Sequence, residues 1–564
     1  MPGPAMFAIA DAYIEKAAAI NPLSATNWGI DAYNDQLGDF SPARYEAEED
    51  LARGTLAELN EVIAAADVDR IGRALMAERL ECVLALCESG EIRRTFSVLL
   101  SPPSDIRQVF ELQPATTPEH AEQIRARLAA VRQALRSWQT TLEQDLARNF
   151  VSARRQALGV AAQLETYAEG AFAEVGDRLG AACGVCPESS GLRAAGDDAD
   201  RACGELAEWL RARYVPGTLE ADAVGRDRYM LWSRTFLGAD IDLTATYEWG
   251  WEDLKQIAAR MHEVARKVAP GTQSLVEAAS LLDADESRAL HGTEALLSRL
   301  VGLTEGAIGM LAGRHFEIDP RIVTCEARLA PEGSQASPYY IPPSEDLSRP
   351  GTTWYPTLGH DRFPLWRDVS TWYHESVPGH HLQIATSILE RERQSRFQRL
   401  EGFVSSYGEG WALYAERLMD ELGAYSDLGD ELGYLASQAL RAARVVVDIG
   451  MHLGLRAPGD IGALGPLAGA AGRVWDAGMA LALLEGVALL PGDTATSEVD
   501  RYLGLPAQAI SYKVGERTWL ACREDARRRL GSAFDLKSWH SYALAIGPMG
   551  LGPFREEMAR FGQA

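Results

Sequence analysis

Residues 117–147, TPEHAEQIRARLAAVRQALRSWQTTLEQDLA, carry Ile124, Leu128, Val131, Leu135, Trp138, Leu142 and Leu146 at steps of three and four. With 3.6 residues to a turn, those steps lay all seven side chains along one face of an α-helix. Thr117 suits the N-cap, Pro118 the first helical position, and Glu119 sets negative charge near the positive end of the helix dipole. A stripe of this kind is buried by packing on other helices. Long amphipathic patterns recur through the first three hundred residues with no repeat of fixed period, so the expected fold class is mostly α.

Composition agrees with a large folded chain. Of 564 residues, 47% are apolar and 24% charged, which leaves ample interior for a buried cleft. The formal charge of -25, from 80 acidic against 55 basic side chains, leaves no basic stripe for a phosphate backbone, so neither nucleic acid nor an anionic membrane is an expected partner. The opening residues MPGPAMFAIADAYIEKAAAI have no basic leader and meet Asp11 and Glu15 early, so no signal peptide is expected. The most apolar run, Met479 to Leu490, is interrupted by Glu485 and is far shorter than the roughly 20 residues a membrane span needs. Seven scattered cysteines suit reduced thiols in a cytoplasmic protein, and Cys183-x-x-Cys186, with Cys203 as the sole third thiol nearby, reads as structural.

Near Glu332 the composition changes. PEGSQASPYYIPPSEDLSRPGTTWYP mixes Pro, Gly and Ser with Tyr339, Tyr340, Trp354 and Tyr355, and predicts an irregular or β-containing crossing over residues 332–356. Helical patterns resume beyond it. The expected organisation is a helical lobe over residues 1–300 that contributes cleft walls, and a second lobe over 301–564 that carries the chemistry.

That chemistry centres on TWYHESVPGHHLQ, residues 371–383, which holds three of the chain's 10 histidines. His374 followed by Glu375 puts a metal ligand beside a carboxylate able to act as general base, as in H-E-x-x-H zinc sites. The fourth position of that pattern is Pro378, which cannot donate its backbone hydrogen bond and breaks the helical step. On an ideal helix His381 would return to the face of His374, whereas a bulge at Pro378-Gly379 would select His380. Both remain open on pattern alone. A third ligand is needed, and in SSYGEGWALYAERLMDELG the first candidate is Glu409, flanked by Gly408 and Gly410, with Glu416 in reserve.

These residues resemble a family of bacterial zinc-peptidase-like proteins long catalogued as a domain of unknown function, with an H-E-x-x-P-G-H signature. SPYYIPPSEDLSRPGT, YHESVPGHHLQ, YGEGWALYAERL, RAARVVVDIGMH and PAQAISYKVGERT all resemble family stretches. The family looks related to thimet-oligopeptidase-like and carboxypeptidase-Taq-like zinc metallopeptidases, which implies a two-lobed helical zincin-like fold with a deep cleft. The resemblance favours His380 over His381 and implies one zinc ion per chain, held by His374, His380 and Glu409, with Glu375 as general base. It places Tyr512 where related peptidases set a hydroxyl facing the oxyanion. His381, Asp448, His452, Gln508 and Lys513, with Tyr339, Tyr340 and Arg349 of the aromatic crossing, are candidates for orienting ligands or binding substrate. Asp448 and His452, one helical turn apart, are equally readable as a mutually satisfied interior pair.

The expected function is therefore zinc-dependent hydrolysis of short peptides. A metal-dependent amidase or esterase of the same fold would use the same chemistry, and a non-catalytic helical peptide-binding protein is the alternative outside enzymes. No P-loop, dinucleotide fingerprint or G-x-S-x-G elbow supports nucleotide-driven or serine-hydrolase chemistry.

Overall fold

In a computed structural model, which describes residues 5–62, 66–272, 274–330, 337–344 and 347–563, the chain is mostly helical with a little strand. Two compact units form. One comprises residues up to Leu231 together with Asp500–Pro506; the other comprises Trp232–Val499 and the chain from Ala507 on.

The first unit is organised by α1, Pro118–Ala147. Its start is as the sequence predicts: the Thr117 hydroxyl accepts from the His120 N–H at 3.2 Å, and Pro118 occupies the first turn. Ile124, Leu128, Val131, Leu135, Trp138 and Leu142 are all buried, and Leu146 packs against the same core. That core is shared with α2, Leu192–Trp209, and takes in Cys183 and Cys203 as small apolar groups. Cys186 lies exposed, with its thiol donating to Glu188. No disulfide joins cysteines among the described residues.

The second unit contains α3, Leu243–Val268, and a segment of small sheet with β1, Cys325–Leu329, β2, Tyr339–Ile341, and β3, Gly351–Tyr355. β3 is central, with β1 parallel to it on one side and β2 antiparallel on the other, Tyr340 opposite Thr353. The expected irregular crossing is thus partly strand; its residues 332–336 and 345–346 lie outside those described. Then follow α4, Asp368–Glu375, α5, His380–Leu389, α6, Ser405–Glu421, α7, Leu428–Leu453, and α8, Ser511–Leu530. α3 packs along α7 and α6 along α8, while α4 lies against both α6 and α7.

The division expected near residue 300 falls inside the helix Thr293–Leu311 and needs correction. That helix buries Leu296, Leu300, Leu303 and Leu311, packs on α4, and its Thr304 hydroxyl accepts from the Trp372 indole N–H at 3.0 Å. A helix whose apolar face is covered by α4 belongs with α4. Among the described residues no helix is long and apolar enough to cross a membrane.

Candidate metal centre

The site is built where α4 stops and α5 begins. α4 ends at Glu375 and the chain turns through Ser376, Val377, Pro378 and Gly379 before α5 starts at His380. The turn is tight: a Cβ on Gly379 would lie 1.8 Å from the His374 carbonyl oxygen, so only glycine fits. Trp411 of α6 fastens it, its indole N–H shared between the carbonyl oxygens of Pro378 at 3.0 Å and Gly379 at 3.1 Å. α6 is itself drawn in by α8, where Gly410 and Gly515 meet so closely that a Cβ on Gly410 would lie 2.6 Å from the Gly515 Cα. Glu409 and Glu416, seven residues apart on α6, share a helix face.

Those two carboxylates take the two ring nitrogens of His374. Nδ1 donates to Glu416 at 2.8 Å and Nε2 to Glu409 at 3.2 Å. His380 approaches the same Glu409 oxygen with its own Nε2 at 3.7 Å, its ring perpendicular to that of His374 with centroids 4.9 Å apart. One donor atom from each of His374, His380 and Glu409 thus falls within a 4.8 Å cluster. Of the three histidines, His381 is the one turned away. Its Nε2 donates to the Ile322 carbonyl at 2.8 Å, so the neutral ring presents Nδ1 as acceptor to the Tyr340 hydroxyl at 3.0 Å. The ideal-helix argument for His381 fails because the helix is not continuous between residues 374 and 381.

Glu416 is fully buried and held by more than His374: the Ser370 hydroxyl and the Ser437 hydroxyl, the latter at 3.1 Å, both donate to its other oxygen. A carboxylate on Nδ1 fixes the ring so that Nε2 faces the cluster, the usual partner arrangement behind a metal-ligating histidine. Four-coordinate zinc with bonds of about 2.0–2.2 Å sets neighbouring donors about 3.3 Å apart, a spacing comparable with 3.2 and 3.7 Å around the Glu409 oxygen. His374 is buried whereas His380 and Glu409 keep 12% and 17% side-chain exposure, which leaves a side open for water or substrate. The donor set fits zinc.

The electrostatics follow from this packing. Burial opposes charge on His374, but the hydrogen bonds to Glu409 and Glu416 outweigh it and lift its pKa to about 10 without metal. Burial likewise opposes charge on Glu409, and the hydrogen bonds from His374 and His380 reverse that and hold the carboxyl well below its usual range. Glu375 is raised, since burial there exceeds the opposing attraction of His380 and His374. A base with a raised pKa is better matched to taking a proton near neutral pH.

The other candidate residues fall in several places. Tyr512, at the start of α8, lies under the guanidinium groups of Arg441 at 5.9 Å and Arg444 at 4.6 Å. Lys513 is buried and bonded to Glu516 at 2.6 Å and Gln438 at 2.7 Å, so its charge is consumed internally. Asp448 accepts from the Ala507 N–H at 3.0 Å, which ties down the turn ahead of Tyr512, and lies 3.6 Å from His452, both side chains fully buried. The Gln508 carbonyl accepts from the Ser511 N–H at 3.1 Å in that same turn. Tyr339 stacks on Trp354 within the sheet, and exposed Arg349 closes a backbone turn with Ser344. Tyr339 and Arg349 belong to the sheet region; Tyr340 reaches the centre's surroundings through His381. Ser370, Trp411, Ser437 and Arg441 were not singled out from sequence; Ser370, one turn before His374 on α4, was the one with a readable signal.

Comparisons place the chain among known proteins. No match is found among curated proteins. The fold is shared with the solved structure of a "putative lipoprotein" from Colwellia psychrerythraea, 20% identical with a TM-score of 0.81 over 98% of each chain. It is shared also with a "putative lipoprotein of unknown function" from Shewanella oneidensis, 18% identical with a TM-score of 0.74, over 98% of this chain and 99% of that one. These descriptions overturn the cytoplasmic placement expected above, which rested on an odd set of thiols; buried thiols such as Cys183 and Cys203 stay unpaired through inaccessibility, whatever the compartment. The model of DUF885, a bacterial protein family of unknown function, matches residues 22–558, and the chain belongs to that family.

Proposed function

We propose that this protein is a zinc-dependent peptidase acting on short peptides, a zincin-like relative of the metallopeptidases that its motifs resemble. One observation carries the reading: His374, His380 and Glu409 bring donor atoms within 4.8 Å of one another, with Glu375 next in the chain to His374. His374, His380 and Glu409 would hold one zinc ion, with Glu416 fixing the His374 ring from behind. When bound, zinc supplies Lewis acidity toward a water and a scissile carbonyl. Glu375 would take the proton from that water and return it to the leaving amine, a duty its raised pKa suits. Tyr512, a neutral phenol, would donate a hydrogen bond to charge that develops on the carbonyl oxygen.

The test combines metal analysis with peptide turnover. The protein purified without added zinc is expected to carry about one zinc per chain and to cleave a mixed peptide library, with products mapped by mass spectrometry. Glu375→Gln is expected to retain the metal and lose turnover by roughly 10²–10⁴-fold. Equal turnover by Glu375→Gln and the parent would remove Glu375 as base, and hydrolysis confined to amide or ester probes would redirect the substrate class. A chain that neither carries nor takes up zinc would end the proposal.

A further inference from the structure

Arg441 on α7 is a cation placed beside this centre. Its Nη1 donates to the Ser437 hydroxyl at 2.8 Å, and Ser437 in turn donates to Glu416, the carboxylate behind His374. The guanidinium is therefore three hydrogen bonds from the imidazole of a metal ligand. It lies also against the ring of Tyr512.

The neighbouring Arg444 makes a useful contrast. Both guanidinium groups lie over the same Tyr512 ring, but Arg444 is neutralised by Glu498 at 2.9 Å. Arg441 has no carboxylate at ion-pair distance among the described residues, in a chain with 80 acidic side chains, and its buried Nε has no hydrogen-bond partner. Among the described residues only Nη1 of its fork has an acceptor, Ser437. A half-buried guanidinium with donors unspent is costly to keep, and planar carboxylate is the group its geometry fits, through paired N–H donors. In a protein of net charge -25, an anionic substrate end also needs a local cation to be admitted.

We infer that Arg441 anchors the C-terminal carboxylate of the peptide, so that the enzyme removes residues from the C-terminal end and does not cut within long chains. This rests on the peptidase reading. It makes Arg441 a substrate-binding residue distinct from the metal ligands and from Glu375. The competing role is purely structural, with Arg441 balancing the carboxylates of Glu375, Glu409 and Glu416.

The deciding experiment measures binding and turnover separately. A tetrapeptide library is prepared as free acids and as C-terminal amides, and retention by the zinc-loaded Glu375→Gln protein is read by ultrafiltration and mass spectrometry. Free acids are expected to be retained at least tenfold better than amides. Adding Arg441→Gln should erase that preference, and Arg441→Lys should restore part of it, with zinc content unchanged in both as the control for folding. Equal retention of acids and amides by the Glu375→Gln protein, or an acid preference that survives Arg441→Gln, overturns the anchor. The parent's turnover of the same library is followed in parallel: cleavage without an acid preference leaves the peptidase reading standing and removes only Arg441, whereas neither retention nor cleavage removes both.

Discussion

His380 and His381 are neighbours in the chain and point into two different regions of the molecule. His380 faces the carboxylate pocket on α6, where Glu409 lies 3.7 Å from its Nε2. His381 faces the sheet, between the Ile322 carbonyl and the Tyr340 hydroxyl. In the first region a histidine meets an anion it shares with another imidazole; in the second it meets one acceptor and one donor and is fully satisfied while neutral. Charge is thus left to be balanced by something else in the first region, whereas the satisfied histidine of the second serves the architecture.

The contrast can be broken by substitution. His374→Ala removes the ring that both α6 carboxylates hold, and complete loss of zinc and of turnover is expected, measured by metal analysis and peptide assay. His380→Ala is expected to weaken zinc binding far more than His381→Ala, which should keep zinc affinity within about threefold; a large loss in His381→Ala alone would reverse the assignment. Glu416→Gln keeps the shape behind His374 but removes its charge, and a loss of about 10–100-fold in zinc affinity is expected. Tyr340→Phe, on the sheet side, should cost only about 1 kcal/mol in unfolding free energy and leave zinc binding intact.

Acidity sharpens the same comparison. In the metal-free protein the His374 pKa rises from 6.5 to about 10, so its contribution to stability is complete below pH 6.5 and is lost as pH climbs toward 10. Glu409 moves the other way, and its contribution is complete above its ordinary value of 4.5 and is lost as pH falls below it. Metal-free protein should therefore melt highest between about pH 4.5 and 6.5. Zinc affinity should increase with pH over the range in which His374 gives up its proton. Thermal melts with and without chelator check this, and Glu416→Gln should flatten the alkaline decline. His381, which burial keeps neutral, should add nothing to either limb when replaced by Phe.

Much of this was readable from residues alone, and the reasons are local. The stripe on α1 and its Thr117 cap depend on helix geometry over a few turns, and each residue proposed for its apolar face lies in or against the core. His374, Glu375 and Glu409 were readable as candidates because the H-E pair of a metal-site pattern is adjacent in the chain and Glu409 stands between two glycines that permit close approach. Pattern alone leaves His380 and His381 both open, because the residues do not say how the chain passes Pro378-Gly379, and an unbroken helix and a bulge there select different rings. The expected division near residue 300 differs from the observed one because helical periodicity marks local structure and says nothing about which helices share a core.

The sequence by itself determined that the chain is helical, that histidines and acids gather at one motif, and that Pro378 interrupts it, since propensity, periodicity and φ restriction act within a few residues. Tertiary structure decided which side of the break each histidine faces, that Glu409 and Glu416 take opposite nitrogens of one imidazole, and that among the described residues Arg441 has no carboxylate at ion-pair distance while Arg444 meets Glu498. Those outcomes depend on helices distant in sequence meeting at specific heights, as at the Gly410–Gly515 contact, and pairings of that kind are fixed by packing and not by neighbours in the chain.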